Sequence, residues 1–341
     1  MAEVRIMDIR EIMEEKEQTE LSPFASLARN SRGRAREEEP CDVRTAYQRD
    51  RDRILHSKAF RRLKDKTQVF LSPQGDHYRT RLTHTLEVSQ IARTVAKALQ
   101  LNVDLVEAIS LGHDLGHTPF GHAGEKVLNQ LCPAGFRHNQ QSLRVVELLE
   151  KDGKGLNLTW EVRDGILNHQ TSGNPSTLEG QIVRICDKIA YIHHDMDDAQ
   201  RAGIITEEDI PKDLREALGM TTRARLNTLI HDLIASSYGK SEIRQSEEVA
   251  GYLARLREVM FEDVYTNPVA KQEEEKVVLL FGELYHYYES RPEALPEKYR
   301  QLIDSGEQEA VVICDYISGM TDQYCIRTFE GIFVPNAWDV L

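Results

Sequence analysis

The stretch LGHDLGHTPFGHAGE, residues 111 to 125, concentrates titratable groups to an unusual degree. Thirteen consecutive positions hold His113, Asp114, His117, His122 and Glu125. Imidazole nitrogens and carboxylate oxygens bind divalent metal ions and transfer protons near neutral pH. Folding alone rarely needs so many of them together, so the stretch indicates a chemical site.

Helical spacing predicts which of these side chains face the core. His84 begins an apolar stripe at spacings of four, three and four residues that comprises Val88, Ile91 and Val95. His113 continues a similar stripe from Val106 and Ile109, with Asp114 about 100° further round the helix. A buried carboxylate beside a buried imidazole is costly unless a cation compensates it.

A further carboxylate comes from the helix predicted at 178–202. Asp187 lies in the middle of its half-buried apolar pattern, where an aspartate needs a partner. Together with His84, His113 and Asp114 it forms a set of two imidazoles and two carboxylates. Such a set suits Mn²⁺, Fe²⁺, Co²⁺, Ni²⁺ or Zn²⁺, with Mg²⁺ as a further candidate. Each residue alone would more often be a satisfied core group, and it is the set that predicts a divalent metal site.

The elements that must position this set are helices, and we predict an all-α protein. Strand-like alternation is confined to short pieces such as TQVF, and no glycine-rich phosphate loop follows a strand. Further helices are expected after Pro292. The predicted helices are 47–65, 83–100, 104–116, 121–131, 139–150, 160–169, 178–202, 222–237, 246–263 and 269–289.

Composition indicates a soluble globular chain. Its net charge of −13 argues against a generic nucleic-acid coat or an anionic membrane surface as partner. No apolar run approaches the roughly 18 residues of a membrane span, and the acidic N-terminus lacks the apolar core of a signal peptide. The five cysteines are scattered without a CxxC pair, so we expect a reducing, cytoplasmic compartment and no membrane partner.

One segment runs against the overall charge. RDRDRILHSKAFRRLKDK, residues 49 to 66, has eight Lys or Arg against three Asp. It is either a solvated basic helix face or a local field for a highly charged anion, such as a phosphate substrate.

The four predicted ligands also form the H…HD…D pattern of the HD superfamily of metal-dependent phosphohydrolases. The chain further resembles the deoxyguanosine triphosphate triphosphohydrolase branch, in particular its shorter bacterial dGTPase-like members, over about residues 43 to 330. The stretches that carry this resemblance are RDRDRILHSKAFRRLKDKTQVF, RTRLTHTLEVSQIAR, GHDLGHTPFGHAGE, TLEGQIVRICDKIAYIHHDMDDAQRAG and DYISGMTDQY. It implies a multi-helix HD-domain bundle with additional C-terminal helices. The expected segments are a peripheral N-terminal segment (1–45), an HD phosphohydrolase core (46–205) and a C-terminal helical region packed on the core (206–341).

The resemblance also implies a role for individual residues. His122 and Glu125 would be the catalytic pair, outside the metal ligands. Val69 would be the steric gate that excludes a 2′-hydroxyl group. The residues expected to contact the triphosphate or the deoxyribose are Gln68, Val69, Arg81, His117, His138, Lys188, Tyr191 and Asp195.

Each of these roles has a structural alternative. His122 could be an ordinary residue at a helix N-terminus, and Glu125 could act only on the helix dipole. His138 could belong to a capping cluster, and Tyr191 and Asp195 could be structural. We expect structural roles for His169, His193, His194, Asp322 and Tyr324.

The implied activity is metal-dependent hydrolysis of dGTP or another dNTP at the α-phosphorus, giving a deoxynucleoside and inorganic triphosphate. The alternatives are another HD phosphohydrolase (a nucleotidase or phosphodiesterase) and a non-catalytic binder of nucleotide or single-stranded nucleic acid on the same scaffold. The family also implies a homo-oligomer, and either a regulatory dNTP or single-stranded nucleic acid as a possible further partner.

Overall fold

The computed structural model describes residues 9–68, 79–265 and 273–335, and these ranges confirm the all-α prediction. Strand-like pairing in them is limited to the isolated bridges Arg34–Thr159 and Thr67–Thr80. None of their helices is both long and apolar enough to cross a lipid bilayer. The α-helices are α1 (Ile9–Glu20), α2 (Ala46–Leu55), α3 (Lys58–Arg62), α4 (Arg81–Ala98), α5 (Val103–Gly112), α6 (Gly121–Leu131), α7 (His138–Arg144), α8 (Trp160–Leu167), α9 (Leu178–Arg201), α10 (Lys212–Leu218), α11 (Thr222–Ser237), α12 (Glu247–Met260), α13 (Glu274–Ser290), α14 (Glu297–Asp304), α15 (Glu309–Ser318) and α16 (Asp322–Phe333).

Side-chain caps define the start of the three helices that lead to the predicted metal ligands. The side chains of Thr80, Asn102 and Thr177 accept hydrogen bonds from backbone N–H groups in the first turns of α4, α5 and α9. Each satisfies a donor that the helix leaves unpaired at its N-terminus.

The larger hydrophobic core is built around α4, α5 and α9, which pack on one another, while α2 and α8 cover α5. The aliphatic stripes predicted on α4 and α5 are buried in it, and both Val88 and Ile109 are completely inaccessible. His84 and His113 therefore enter a low-dielectric interior, as their spacing predicted.

A second hydrophobic cluster joins α6 to the C-terminal helices. Leu128 on α6 and Phe281 on α13 are fully buried in it, together with Ile313 on α15. The helix that begins at Gly121 and carries His122 and Glu125 thus packs on the C-terminal region.

Two helix predictions differ from the structure at functionally important places. The helix predicted at 47–65 is broken after Leu55, because the Ser57 side chain accepts a hydrogen bond from the Phe60 N–H and starts α3. The helix predicted at 104–116 ends at Gly112, and His113 and Asp114 lie in the turn that follows.

This turn is stable because α7 satisfies its backbone. The Ser142 hydroxyl accepts from the Gly116 N–H (2.9 Å) and donates to the His113 carbonyl (2.6 Å). A Cβ on Gly116 would lie 2.1 Å from the Ser142 backbone nitrogen, so only glycine permits this approach.

The predicted N-terminal segment makes specific contacts with the core. The fully buried carboxylate of Glu179 on α9 accepts from the backbone N–H groups of Ser26 and Asn102. The division of the chain into three segments at residues 45 and 205 stays a prediction.

Candidate functional site

The four side chains predicted as metal ligands meet at one point in the core. His84 Nε2 lies 3.1 Å from Asp187 Oδ1 and 3.9 Å from Asp114 Oδ2. His113 Nε2 lies 3.7 Å from the same Asp187 oxygen and 3.6 Å from Asp114 Oδ1. The structure thus brings together two imidazole nitrogens and two carboxylates from α4, α9 and the turn after α5.

The orientation of His113 shows that this group suits a cation. Its Nδ1 lies 2.6 Å from the Ser110 carbonyl, which can only accept, so Nδ1 donates to that carbonyl. The buried Nε2 therefore points towards Asp114 and Asp187, and it has no hydrogen-bond partner among the described residues. A divalent cation between the imidazole nitrogen and the two carboxylates would bind all three.

Both carboxyl groups are held in the ionised form that ligation requires. Burial would raise the pKa of Asp114, but His113 and Arg81 outweigh it and hold that pKa well below its usual range. Burial likewise opposes ionisation of Asp187, and the hydrogen bond from His84 and the nearby His113 lower its pKa. Arg81 also donates to Asp114 Oδ2 at 2.8 Å.

Glu125 has a different principal partner from the one the sequence suggested. His138 Nδ1 lies 2.9 Å from Glu125 Oε2, whereas His122 Nδ1 lies 3.5 Å from it. The His138 backbone N–H also donates to Glu125 Oε1 at 2.9 Å. Burial would raise the pKa of Glu125, but its hydrogen bonds with His122 and His138 hold it well below the usual range.

His138 links Glu125 to a buried imidazole. Its Nε2 lies 3.2 Å from His169 Nε2, and His169 Nδ1 donates to the Ile166 carbonyl. Burial, and then His113 and His138, lower the pKa of His169 to about 4. His138 is thus held on one side by the Glu125 carboxylate and on the other by His169, at the edge of the cavity described below.

The rings of His117 and His122 both contact His138. His117 stacks on the His138 ring with centroids 4.2 Å apart, and burial followed by the charge of Arg81 lowers its pKa well below the usual value. His122 remains 79% exposed at the side chain, so it can meet a ligand directly.

His84, His113, Asp114 and Asp187, the predicted ligands, are called the metal group below. A cavity of about 710 Å³ opens on this group and is lined by most of the predicted site residues. His113, Glu125 and Lys188 do not line it. Val69 lies outside the described residues. The predicted residues that line the cavity are Gln68, Arg81, His84, Asp114, His117, His122, His138, Asp187, Tyr191 and Asp195.

The far wall holds residues that the sequence did not reveal. Arg257 on α12, and Phe261 and Tyr265 on the π-helical turn that follows, line the cavity opposite α9. The Tyr265 hydroxyl donates to the Asp195 carboxylate. Nothing in the local sequence around 257–265 distinguishes these residues from an ordinary amphipathic helix, since their role depends on α9 lying opposite.

A strained turn sets the position of His122. Phe120 has a left-handed backbone (φ 60°), which is unusual for a residue other than glycine, and Gly121 follows with φ 57°. A Cβ on Gly121 would lie 3.0 Å from the Gln68 carbonyl oxygen, so this turn also approaches the neighbouring loop closely.

Asp322 at the start of α16 binds both the loop at Thr67 and the turn at Phe120. Its Oδ1 accepts from the Phe120 N–H (3.0 Å), and its Oδ2 accepts from the N–H (3.0 Å) and the hydroxyl of Thr67. Beside it, the buried Lys66 ammonium donates to the carbonyls of His117 and Ser318 (2.8 Å for Ser318). The structural role expected for Asp322 is therefore a specific one, which ties two active-site loops to the C-terminal region.

Comparison with known proteins agrees with this arrangement. Residues 81–192 match the HD domain, and residues 243–331 match the phosphohydrolase-associated domain. The fold and the His/Asp group thus define an HD-domain hydrolase.

Relatives of known name extend the match to nearly the whole chain. A deoxyguanosinetriphosphate triphosphohydrolase-like protein of Caldanaerobacter subterraneus subsp. tengcongensis is 58% identical over 97% of this chain and 98% of its own. Proteins of the same name from Clostridium perfringens strain SM101 and Desulfatibacillum aliphaticivorans are each 48% identical over 97% of this chain and 99% of their own. The chain therefore belongs to the family of deoxyguanosinetriphosphate triphosphohydrolase-like proteins.

Replacing His113 by alanine tests the metal group. We expect Mn²⁺ binding to weaken at least about tenfold, because the substitution removes the imidazole that faces both carboxylates. Isothermal titration calorimetry on the chelator-treated full chain measures this affinity. His193→Ala is the matched control, since His193 is also buried and donates from Nδ1 to a carbonyl but forms no ion pair with a described carboxylate. Unchanged Mn²⁺ affinity in His113→Ala would contradict the assignment.

Replacing Asp322 by alanine tests the link between the loops and α16. We expect faster hydrogen exchange at the Phe120 and Thr67 amides and a loss of about 1.5–3 kcal/mol in unfolding free energy, because hydrogen bonds to a buried charged group are lost. Mn²⁺ affinity should be retained, since the four ligands lie on other elements. Asp304→Ala, at an exposed position on α14, is the control. Unaltered exchange at both amides would show that Asp322 does not hold these loops.

Proposed function

We propose that this protein hydrolyses deoxynucleoside triphosphates to a deoxynucleoside and inorganic triphosphate with the help of a divalent metal ion. The observation that carries the proposal is that one cavity of nucleotide size brings three features together: the His/Asp group, the exposed His122 and the buried Asp195. The names of the relatives support the same activity.

Positive charge is available for the triphosphate. Arg81 and Arg257 line the cavity. Burial, and then Arg257 and Arg184, lower the pKa of Lys188, so Lys188 lies near Arg257 although it does not line the cavity itself. Arginine guanidinium groups bind phosphate oxygens in bidentate fashion.

Asp195 and Tyr191 would contact the sugar. Asp195 Oδ2 is held by Tyr265, whereas the buried Oδ1 has no donor among the described residues and can accept from a sugar hydroxyl. Burial raises the pKa of Asp195 to about 7. Val69, next to the cavity residue Gln68 in sequence, remains the predicted steric gate against a 2′-hydroxyl group.

In the proposed reaction, water adds to the α-phosphorus, the bond to the 5′ oxygen breaks, and a proton reaches that oxygen. When bound, a divalent metal ion polarises the phosphoryl oxygen and lowers the pKa of a bound water. His122 would transfer the proton, because it lines the cavity and is exposed to it. Glu125 Oε2, 3.5 Å from His122 Nδ1, would orient the imidazole towards the cavity.

The phosphate product distinguishes this function from its alternatives. The metal-replete protein, incubated with each dNTP alone and in mixtures, should release inorganic triphosphate that ³¹P NMR identifies. Orthophosphate or pyrophosphate would indicate a different HD phosphohydrolase. Binding of dNTP without turnover under all these conditions would favour a non-catalytic nucleotide-binding protein.

Replacing His122 by alanine should lower kcat by about 10²–10⁴-fold with little change in KM, because proton transfer contributes to the transition state and not to ground-state binding. Steady-state triphosphate release measures both constants, and Mn²⁺ binding should not change. His286→Ala is the matched control, since His286 is exposed and pairs with Glu289 at the same three-residue spacing. A kcat within threefold of the wild type for His122→Ala would exclude His122 as the proton donor.

We also propose that the protein forms a homo-oligomer. The face of α13 supports this proposal, because Val278 and Leu279 are 52% and 61% exposed there. The identity of the metal ion, and binding of a regulatory dNTP or of single-stranded nucleic acid, remain predictions from the resemblance.

A further inference from the structure

The basic segment 49–66 does not line the active-site cavity, and its first half is neutralised within the chain. Arg49 and Arg53 both pair with Glu38, at 3.1 and 2.6 Å, and Arg51 pairs with Asp52 at 2.9 Å. These three arginines are therefore committed to structural ion pairs.

The second half leaves one arginine without a partner. Arg62 forms no hydrogen bond or ion pair within the described part of the chain, and it is only partly exposed. Its neighbour Arg61 differs, because Arg61 is exposed and its Nε donates to the Ser57 carbonyl. Lys298 at the start of α14 is also free of ion pairs in this part of the chain and lies over the Tyr299 ring at 4.4 Å.

Arg62 and Lys298 face a cavity of about 30 Å³ with an excess of positive charge. The cations that line it are Lys58, Arg62, Lys151 and Lys298. Lys66 also lines it, and burial lowers the pKa of its amine to about 7. The lining has three carboxylates: Asp315 binds Arg144, Glu150 accepts from the Ala59 N–H, and the exposed Asp152 lies 3.7 Å from Lys58.

These cations repel one another. Burial, and next Arg62 and then Lys58, lower the pKa of Lys298. A chain with a net charge of −13 has ample carboxylates to neutralise such a group, yet Arg62 and Lys298 have none as direct partners. Glu150 and Asp152 offset part of this repulsion without pairing directly with Arg62 or Lys298, and an anion bound between the two cations would relieve the remainder.

We propose that this cavity, lined by Arg62, Lys298 and Lys58, binds a phosphate group as a second anion site of the protein. Its volume exceeds the roughly 10–15 Å³ that one water molecule needs. A neighbouring cavity of about 220 Å³ shares Leu149, Asp152, Lys298 and Tyr299 with it, so the remainder of a phosphorylated molecule has room.

The site is separate from the metal group but is connected to it. The two cavities share no lining residue. Lys66 lines the phosphate site, and the same ammonium donates to the backbone carbonyl of His117, whose ring lies in the active-site cavity. The Lys66 side chain therefore connects the proposed anion site to the backbone at His117.

Calorimetric titration of the metal-free, full-length chain with inorganic phosphate, and separately with tripolyphosphate, tests the proposal at low ionic strength. Arg62→Gln and Lys298→Gln should each weaken binding about tenfold, because each removes a charged donor. Arg61→Gln, one residue away and outside the cavity, should bind as the wild type does. Tighter binding of tripolyphosphate than of phosphate would support the proposal and would indicate that the ligand reaches into the neighbouring cavity. Wild-type affinity in Arg62→Gln, or no binding of either anion to the wild type, would overturn the proposal.

Thermal unfolding supplies an independent readout. Since Arg62 has no partner to lose, Arg62→Gln should unfold at the wild-type temperature or above it without phosphate. Added phosphate should raise the midpoint of the wild type and of Arg61→Gln but not that of Arg62→Gln. His113→Ala should retain phosphate binding, and its loss there would place the anion in the metal site instead. These outcomes do not depend on dNTP hydrolysis, so failure of the proposed activity would leave the test intact.

Discussion

The site depends on two ionised carboxylates inside the core. Burial opposes the charge of Asp114 and Asp187, yet the neighbouring histidines, and Arg81 for Asp114, lower the pKa of both. The protein keeps this arrangement because α4, α5 and α9 are locked by buried aliphatic stripes that leave the ligands no other position. The packing of the larger core thus provides the free energy that holds a metal-binding geometry in place.

Each of the two hydrophobic clusters positions a different part of the site. The larger one carries the metal group, whereas α6, with His122 and Glu125, packs in the smaller one with the C-terminal helices. Lys66 and Asp322 join the two through buried hydrogen bonds to the loops on either side of the cavity. The C-terminal region is consequently part of the active-site architecture, which gives a physical reason for the HD domain to be followed by the phosphohydrolase-associated domain in this chain.

The charge of each group in the site depends on its contacts and not on the net charge of the chain. His138 is held between Glu125 and His169, and its ring stacks on His117, whose pKa burial lowers well below the usual value. Glu125 lies closer to His138 than to His122. His122 is therefore weakly held and exposed, which is compatible with the proton transfer proposed for it.

The sequence by itself determined the helical class and the burial of His84 and His113, because helical periodicity places a side chain on the buried or the exposed face without knowledge of its neighbours. The helix predicted at 104–116 was too long, because the Ser142 hydroxyl that binds the backbone of the turn after Gly112 belongs to another helix. Only the tertiary structure decided that Glu125 binds His138, that Arg257 and Tyr265 line the cavity, and that Arg62 and Lys298 line a second cavity with no residue in common with the first. Each of these contacts joins residues distant in the chain, and local spacing contains no information about which distant element a side chain will face.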